Sequence, residues 1–229
     1  MRMLVNEAIT SAVAPVSLMS QTSARIAFAG GLVSLLLLAA LHVLKPNLDP
    51  SWHVVSEYAL GDYGWIMALC FLSLAIGCAS LFVALLSHVG TVGGRIGLAF
   101  LLAAAVGLIM AAMYPMDPIT VAPKDASTSG RMHGVAGMIG IPSLVIAAVV
   151  LSYTLRTKPL WAPVSAPLLA LGHLNWISLV LMFGLLAIAM KQGTAGLGGL
   201  MGWANRLLMI AYAGWVMIAA WPLARIGRP

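Results

Sequence analysis

Charged residues are scarce in this sequence. Asp, Glu, Lys and Arg make up 8% of the 229 residues, whereas soluble proteins carry about 25%. Acidic residues are the scarcer of the two signs: the chain has six Asp and Glu and twelve Lys and Arg. This composition excludes an ordinary water-soluble domain and indicates a membrane protein.

Cysteine is also rare, since the chain has only Cys70 and Cys78. Both fall in one apolar segment, where about 12 Å of helical rise separates them, which is too far for a disulfide. The sequence therefore contains neither a disulfide framework nor a cysteine metal motif. We expect both cysteines to be small packing residues.

Apolar residues, in contrast, make up 62% of the chain. A hydrocarbon core about 30 Å thick requires roughly 20 apolar residues per helix. At that length the chain divides into six predicted spans, at residues 24–44, 65–87, 95–115, 133–155, 167–190 and 201–222. We therefore predict an all-α integral membrane protein, a six-transmembrane-helix bundle formed by residues 24–222. Small residues predict close packing of the third and fourth spans, at Ala103, Gly107, Ala111, Gly134, Gly137 and Gly140.

The segments outside the bundle are short. Residues 1–23 lack the clean apolar run of a cleavable signal peptide, so we predict a cytoplasmic or interfacial tail. Residues 223–229 form a short basic C-terminus. The side with both termini holds seven Lys and Arg and the other side five, which predicts cytoplasmic termini in a bacterial inner membrane. Because the basic residues are dispersed, we expect contact with membrane lipids and no nucleic-acid partner.

The acidic residues are distributed unevenly. Five of the six fall on the predicted outer side, although acidic residues contribute little to membrane topology. The first outer loop and the neighbouring helix ends converge at one level in this topology. We therefore predict an outer polar cluster formed by Asp49, His53, Ser56, Glu57, Tyr114, Asp117, His133 and Arg206.

Arg206 and Ser56 each have two interpretations. Arg206 is either an interface anchor whose guanidinium reaches water or the ion-pair partner of Glu57 or Asp117 inside the bundle. Ser56 either contributes to the cluster or caps a short helix through its hydroxyl oxygen.

The histidines allow several kinds of chemistry. His53, Asp117 and His133 have the donor types of a zinc site with a water position, but their spacing is not diagnostic, and hydrogen-bonded histidines in a polar pocket are the favoured explanation. A histidine with a carboxylate also suits general acid/base catalysis or pH sensing. Haem held by His42 and His173 is not expected, because the predicted depths of these two residues differ.

The same residues carry a resemblance to a known family. The chain resembles the uncharacterised multi-pass membrane family known as domain of unknown function 998, over roughly residues 25–222. The likeness consists of Ser56 and Glu57 before the second span, Pro115-x-Asp117 after the third, and His133 at the start of the fourth. It implies a shared bundle and a shared outer polar cluster, and it supplies no reaction.

Two functions compete on this basis. The first is a periplasm-facing polar pocket that binds a small molecule, a lipid headgroup or an ion, with hydrolytic chemistry as an open option. The second is a non-catalytic accessory subunit that packs against a larger complex of integral membrane proteins. The sequence identifies neither a ligand nor a reaction, so it does not decide whether the protein is an enzyme.

Overall fold

The computed structural model describes residues 16–193 and 196–226. These residues form long α-helices joined by short loops and 3-10 turns, with no β-strand among them. The helices are α1 (Leu18–Leu44), α2 (Gly64–Leu85), α3 (Val92–Met113), α4 (Thr128–Leu155), α5 (Ser165–Gln192) and α6 (Met201–Ala224). All six are long and apolar enough to cross a membrane, which confirms the predicted fold class.

Helices α1 and α4 begin earlier than hydropathy alone predicts, because their caps are polar. The hydroxyl of Ser17 accepts the N–H of Ser20 at 3.1 Å, and α1 therefore starts at Leu18, within the segment expected to be a tail. The hydroxyl of Ser127 accepts the N–H of Gly130 at 3.0 Å, which starts α4 at Thr128. Residues 1–15 of the predicted tail (1–23) and residues 227–229 of the predicted C-terminus (223–229) lie outside the described residues.

Each helix packs against the next one in sequence, and α6 returns to α1, so the bundle closes on itself. Helix α6 also contacts α2 and α4, which places it at the centre. In its most apolar stretch 56% of residues are buried, the largest share among the six spans. A polar side chain on α6 is therefore surrounded by the rest of the bundle.

Glycines permit two of the close helix contacts. A Cβ at Gly107 of α3 would collide with the backbone of Gly140 of α4, which confirms the predicted small-residue contact at these two positions. At Gly134, in contrast, a Cβ would meet nothing within 4 Å. A Cβ at Gly30 of α1 would lie 2.6 Å from the carbonyl oxygen of Ser73 in α2.

The first loop, residues 45–63, lies directly on the start of α6. The N–H of Gly202 donates to the carbonyl of Ser51 at 2.7 Å. A Cβ at Gly202 would lie 2.7 Å from the carbonyl oxygen of His53, so only glycine allows the loop to approach this closely. This contact brings the loop backbone over the second turn of α6.

Candidate functional site

Arg206, in the second turn of α6, is the centre of a hydrogen-bond network. The residue is only 4% exposed. Its Nε–H donates to Nε2 of His42 at 2.7 Å, and its Nη1 donates to the carbonyls of His53 (2.7 Å) and Gly202 (3.0 Å). Its Nη2 donates to the hydroxyl of Tyr58 at 3.0 Å. One side chain thus joins α1, the first loop and α6.

All of these acceptors are uncharged. Because Nε2 of His42 accepts from Arg206, the imidazole proton is on Nδ1, which donates to the carbonyl of Leu38 at 2.7 Å. Within residues 16–193 and 196–226, no carboxylate lies within 4.0 Å of the guanidinium. The predicted ion pair of Arg206 with Glu57 or Asp117 is therefore wrong, and so is the exposed anchor. The guanidinium points into the bundle, where carbonyls and an imidazole take the place of an acid.

Glu57 belongs to a second set of contacts. Glu57 is 3% exposed and lies in the 3-10 helix Val55–Ala59. One carboxylate oxygen accepts from Nδ1 of His53 at 2.7 Å, and the other accepts from the N–H of Ile119 at 2.9 Å. Glu57 therefore ties the first loop to the loop between α3 and α4, and both of its oxygens have a donor.

The Glu57 and His53 side chains line a surface pocket, which we call the first-loop pocket. Its cavity measures about 480 Å³, and Lys45 and Asp62 also line it. Nδ1 of His53 is held by Glu57, and among the described residues Nε2 makes no hydrogen bond. The imidazole stacks against the indole of Trp52, with ring centroids 3.7 Å apart. The pocket thus has an oriented imidazole beside charges of both signs.

Lys45 adds a buried ammonium group to this pocket. Its Nζ donates to the carbonyl of Tyr58 at 3.1 Å and to that of Leu60. Burial lowers the pKa of Lys45, and the nearby carboxylate of Asp62 opposes that effect by raising it. Lys45 therefore anchors the first loop to the end of α1.

Asp117 and His133 lie in a different part of the same end of the bundle. The carboxylate of Asp117 accepts the N–H of Ser127 at 2.8 Å, next to the first turn of α4. Nδ1 of His133 bonds to the carbonyl of Tyr114 at 2.8 Å, so Tyr114 contributes its backbone to this contact. These contacts position the start of α4 and involve neither Glu57 nor Arg206.

Asp49 and Ser56 have separate environments. Asp49 is exposed, and its carboxylate accepts the N–H of Ser51 at 2.9 Å, a bond that lowers the pKa of Asp49. Ser56 does not cap the 3-10 helix, because Val54 holds that position and no side chain caps it. Ser56 instead lines an internal cavity of about 70 Å³ with His133, Asn205 and Tyr212.

The internal cavity is small and partly polar. Its volume has room for a few water molecules, at about 30 Å³ each. The amide oxygen of Asn205 accepts the N–H of Val55 at 2.8 Å, and the hydroxyl of Tyr212 donates to the carbonyl of Ile141 at 2.8 Å. Ser56 and His133, two residues of the resemblance described above, thus share this cavity.

The side chains considered for zinc and for haem are not brought together in the structure. Among the described residues, no three His, Cys, Asp or Glu side chains are placed to hold one metal ion, so His53, Asp117 and His133 do not form a zinc site. His42 bonds through both ring nitrogens, to Leu38 and Arg206. His173 also bonds through both, to Tyr153 and Trp176.

Sequence reasoning missed several residues of these networks: Lys45, His42, Tyr58 and Asn205. One signal could have found His42, and another could have found the contact between His53 and Glu57. His42 is predicted near the outer end of the first span, at the level of Arg206. His53 and Glu57 are four residues apart, a spacing that brings side chains together in a helical turn.

A family model described as "Protein of unknown function (DUF998)" matches residues 28–222. This match covers most of the chain and confirms the resemblance predicted from its motifs. No curated protein and no solved structure matches the chain.

Proposed function

We propose that this chain, which belongs to the DUF998 family, binds a small polar molecule or a lipid headgroup in the first-loop pocket. One observation carries the proposal: the buried carboxylate of Glu57 holds His53 at 2.7 Å, and both residues line the pocket. Burying a carboxylate is costly. The two hydrogen bonds to Glu57 offset that cost, and a helical bundle does not need such a residue in order to pack.

The pocket suits a ligand with both charged and neutral polar groups. Its volume of about 480 Å³ lies within the range of small-molecule sites, about 300–1,000 Å³. Lys45, Asp62 and Glu57 supply charges of opposite sign along its walls. A zwitterionic headgroup can pair with both signs at once, which supports this ligand class.

Hydrolytic chemistry at this pocket would depend on His53. A carboxylate that fixes Nδ1 leaves Nε2 as the proton acceptor, the arrangement used by general bases. Nε2 of His53 would take a proton from a water molecule as the water oxygen bonds to the phosphorus of a bound phosphoester, and it would return that proton to the alkoxide that leaves when the P–O ester bond breaks. We propose ligand binding as the primary function of the pocket and hydrolysis as additional chemistry on the bound ligand.

The binding test uses the full chain purified in a mild detergent, with phosphoethanolamine as the probe. We expect the probe to raise the unfolding temperature of the unaltered protein, because a ligand that binds only the folded state stabilises it. Glu57→Gln should lose most of that rise. Asp125→Asn, which changes an exposed carboxylate outside the pocket, should keep it. Equal responses in Glu57→Gln and the unaltered protein would contradict the proposal.

We further propose that the first-loop pocket faces the periplasm of a bacterial inner membrane, as the count of Lys and Arg predicts. Cysteine labelling tests this orientation, because both native cysteines are buried. A membrane-impermeant maleimide should label Asp62→Cys in cells whose inner membrane is intact. It should label Gly90→Cys, in the loop between α2 and α3, only after lysis. The reverse pattern would place the pocket in the cytoplasm.

An accessory-subunit role is the second candidate, and one observation favours it. In the segment Pro159–Gln192, which contains α5, only 22% of the most apolar stretch is buried. A partner helix could cover this face as readily as lipid does. Stoichiometric partner chains after purification in mild detergent would support the subunit role.

A further inference from the structure

A second cavity, which we call the lateral groove, lies between α1 and α6 and has a volume of about 540 Å³. Residues spaced by three and four positions line it from both helices, so each helix contributes one continuous stripe. The stripe of α1 is Leu35, Leu38, Ala39 and His42, and that of α6 is Trp203, Arg206, Leu207 and Ile210.

The groove is polar at one end and apolar along the rest. His42, Trp203 and Arg206 lie toward the first loop, whereas Leu35 and Ile210 lie toward the middle of the bundle. The seven steps along the helix from Leu35 to His42 span about 10 Å. A membrane lipid has the same polarity, with its headgroup at the surface and its chain directed toward the midplane.

Arg206 gives the polar end an unneutralised positive charge. A guanidinium has five N–H donors, and four of those of Arg206 are used by His42, His53, Gly202 and Tyr58. One N–H on Nη2 makes no hydrogen bond among the described residues. Since no carboxylate in the described ranges lies within ion-pair distance of Arg206, an anion is the missing partner.

Trp203 completes the polar end. Its ring centroid lies 5.9 Å from Cζ of Arg206, and the residue is 52% exposed. An indole at this depth is typical of residues that contact lipid headgroups. An anion bound at Arg206 would therefore lie beside an aromatic ring of the headgroup region.

We propose that the lateral groove binds an anionic glycerophospholipid. Its phosphate accepts a hydrogen bond from Nη2 of Arg206, and one acyl chain lies between α1 and α6. Both headgroup types offer the same phosphate, but the choline cation of a zwitterionic headgroup repels the guanidinium, so the charge of Arg206 selects a net negative headgroup. The apolar walls select a lipid over a free phosphate ion, which would leave most of the groove unfilled. This site is separate from the first-loop pocket.

The test measures lipid retention by native mass spectrometry on the full chain in mild detergent. The probes are phosphatidylglycerol and phosphatidylcholine with identical acyl chains. We expect the unaltered protein to bind phosphatidylglycerol about tenfold more tightly, because the choline cation of phosphatidylcholine repels the guanidinium of Arg206. Arg206→Gln should reduce this preference to about unity, whereas Arg206→Lys should keep most of it.

A steric variant tests the groove without altering the Arg206 network. Ala39→Trp places an indole in the groove and should abolish the preference for phosphatidylglycerol. Ala40→Trp, an exposed neighbour that does not line the groove, is the matched control and should keep it. If Arg206→Gln does not fold, Ala39→Trp still decides the question.

Three outcomes would overturn the proposal. These are equal binding of the two lipids to the unaltered protein, an undiminished preference in Ala39→Trp, and displacement of the lipid by inorganic phosphate alone. Phosphoethanolamine, the probe of the first-loop pocket, should leave the lipid preference of the unaltered protein unchanged, so that failure of the first-loop pocket and failure of the lateral groove give different results.

Discussion

Arg25 and Arg206 lie at opposite ends of helix α6, and they differ in what holds them. Arg25, which lies on α1, donates to the carbonyls of Ala224 (3.1 Å) and Ile226 (2.9 Å) at the C-terminal end of α6. That end carries the negative pole of the helix dipole, so a cation is stabilised there. Arg206 lies in the second turn from the positive pole, where the dipole gives a cation no such stabilisation.

This difference suggests a structural role for Arg25 and a binding role for Arg206. Capping of a helix C-terminus accounts fully for Arg25, which is half-buried. Arg206 is 4% exposed and is satisfied only by neutral acceptors. Because burial of an unpaired charge is costly, the position of Arg206 supports the anionic-lipid site that we propose.

The largest expected effect comes from removing each arginine in turn. Arg206→Ala should lower the free energy of unfolding by about 2–4 kcal/mol, because it leaves buried acceptors on His42, Tyr58 and His53 without a donor. Arg25→Ala should cost about 1 kcal/mol or less, since water can replace a partly exposed cap. Unfolding of the full chain in mixed micelles of mild detergent and dodecyl sulfate measures both.

Equal losses of unfolding free energy in Arg206→Ala and Arg25→Ala would contradict the difference that we infer between the two arginines. Arg206→Met separates the effect of charge from that of volume, because methionine keeps most of the side-chain volume and has no charge. If Arg206→Met is as stable as the unaltered protein but loses the preference for anionic lipid, then the charge at this position serves binding rather than folding.

The bundle itself could be predicted from the sequence, because long apolar runs and polar breaks encode membrane spans directly. The convergence of the first loop, the α3–α4 loop and Arg206 at one end of the bundle also follows from alternating topology. The boundaries at Leu18 and Thr128 could not be predicted from hydropathy. They depend on the hydroxyl caps of Ser17 and Ser127.

The partners of Arg206 were not predictable for a different reason. Charge pattern alone suggests a carboxylate, but the actual acceptors are two carbonyls, a phenol and an imidazole. Backbone carbonyls have no signature in the sequence, and their positions depend on how the first loop lies on Gly202. The contact between Glu57 and the N–H of Ile119 was not predictable for the same reason, because it also involves a backbone group.

A smaller effect is expected from Gly202→Ala, which tests whether the first loop holds Arg206 in place. The added Cβ would collide with the carbonyls of Pro50 and His53, so the loop must shift, and we expect a loss of about 1–3 kcal/mol. Gly134→Ala, where a Cβ meets nothing within 4 Å, should be neutral or slightly stabilising. Because His53 supplies one acceptor to Arg206, Gly202→Ala should also weaken the lipid preference. A normal preference in a destabilised Gly202→Ala protein would mean that the guanidinium is held by α1 and Tyr58 alone.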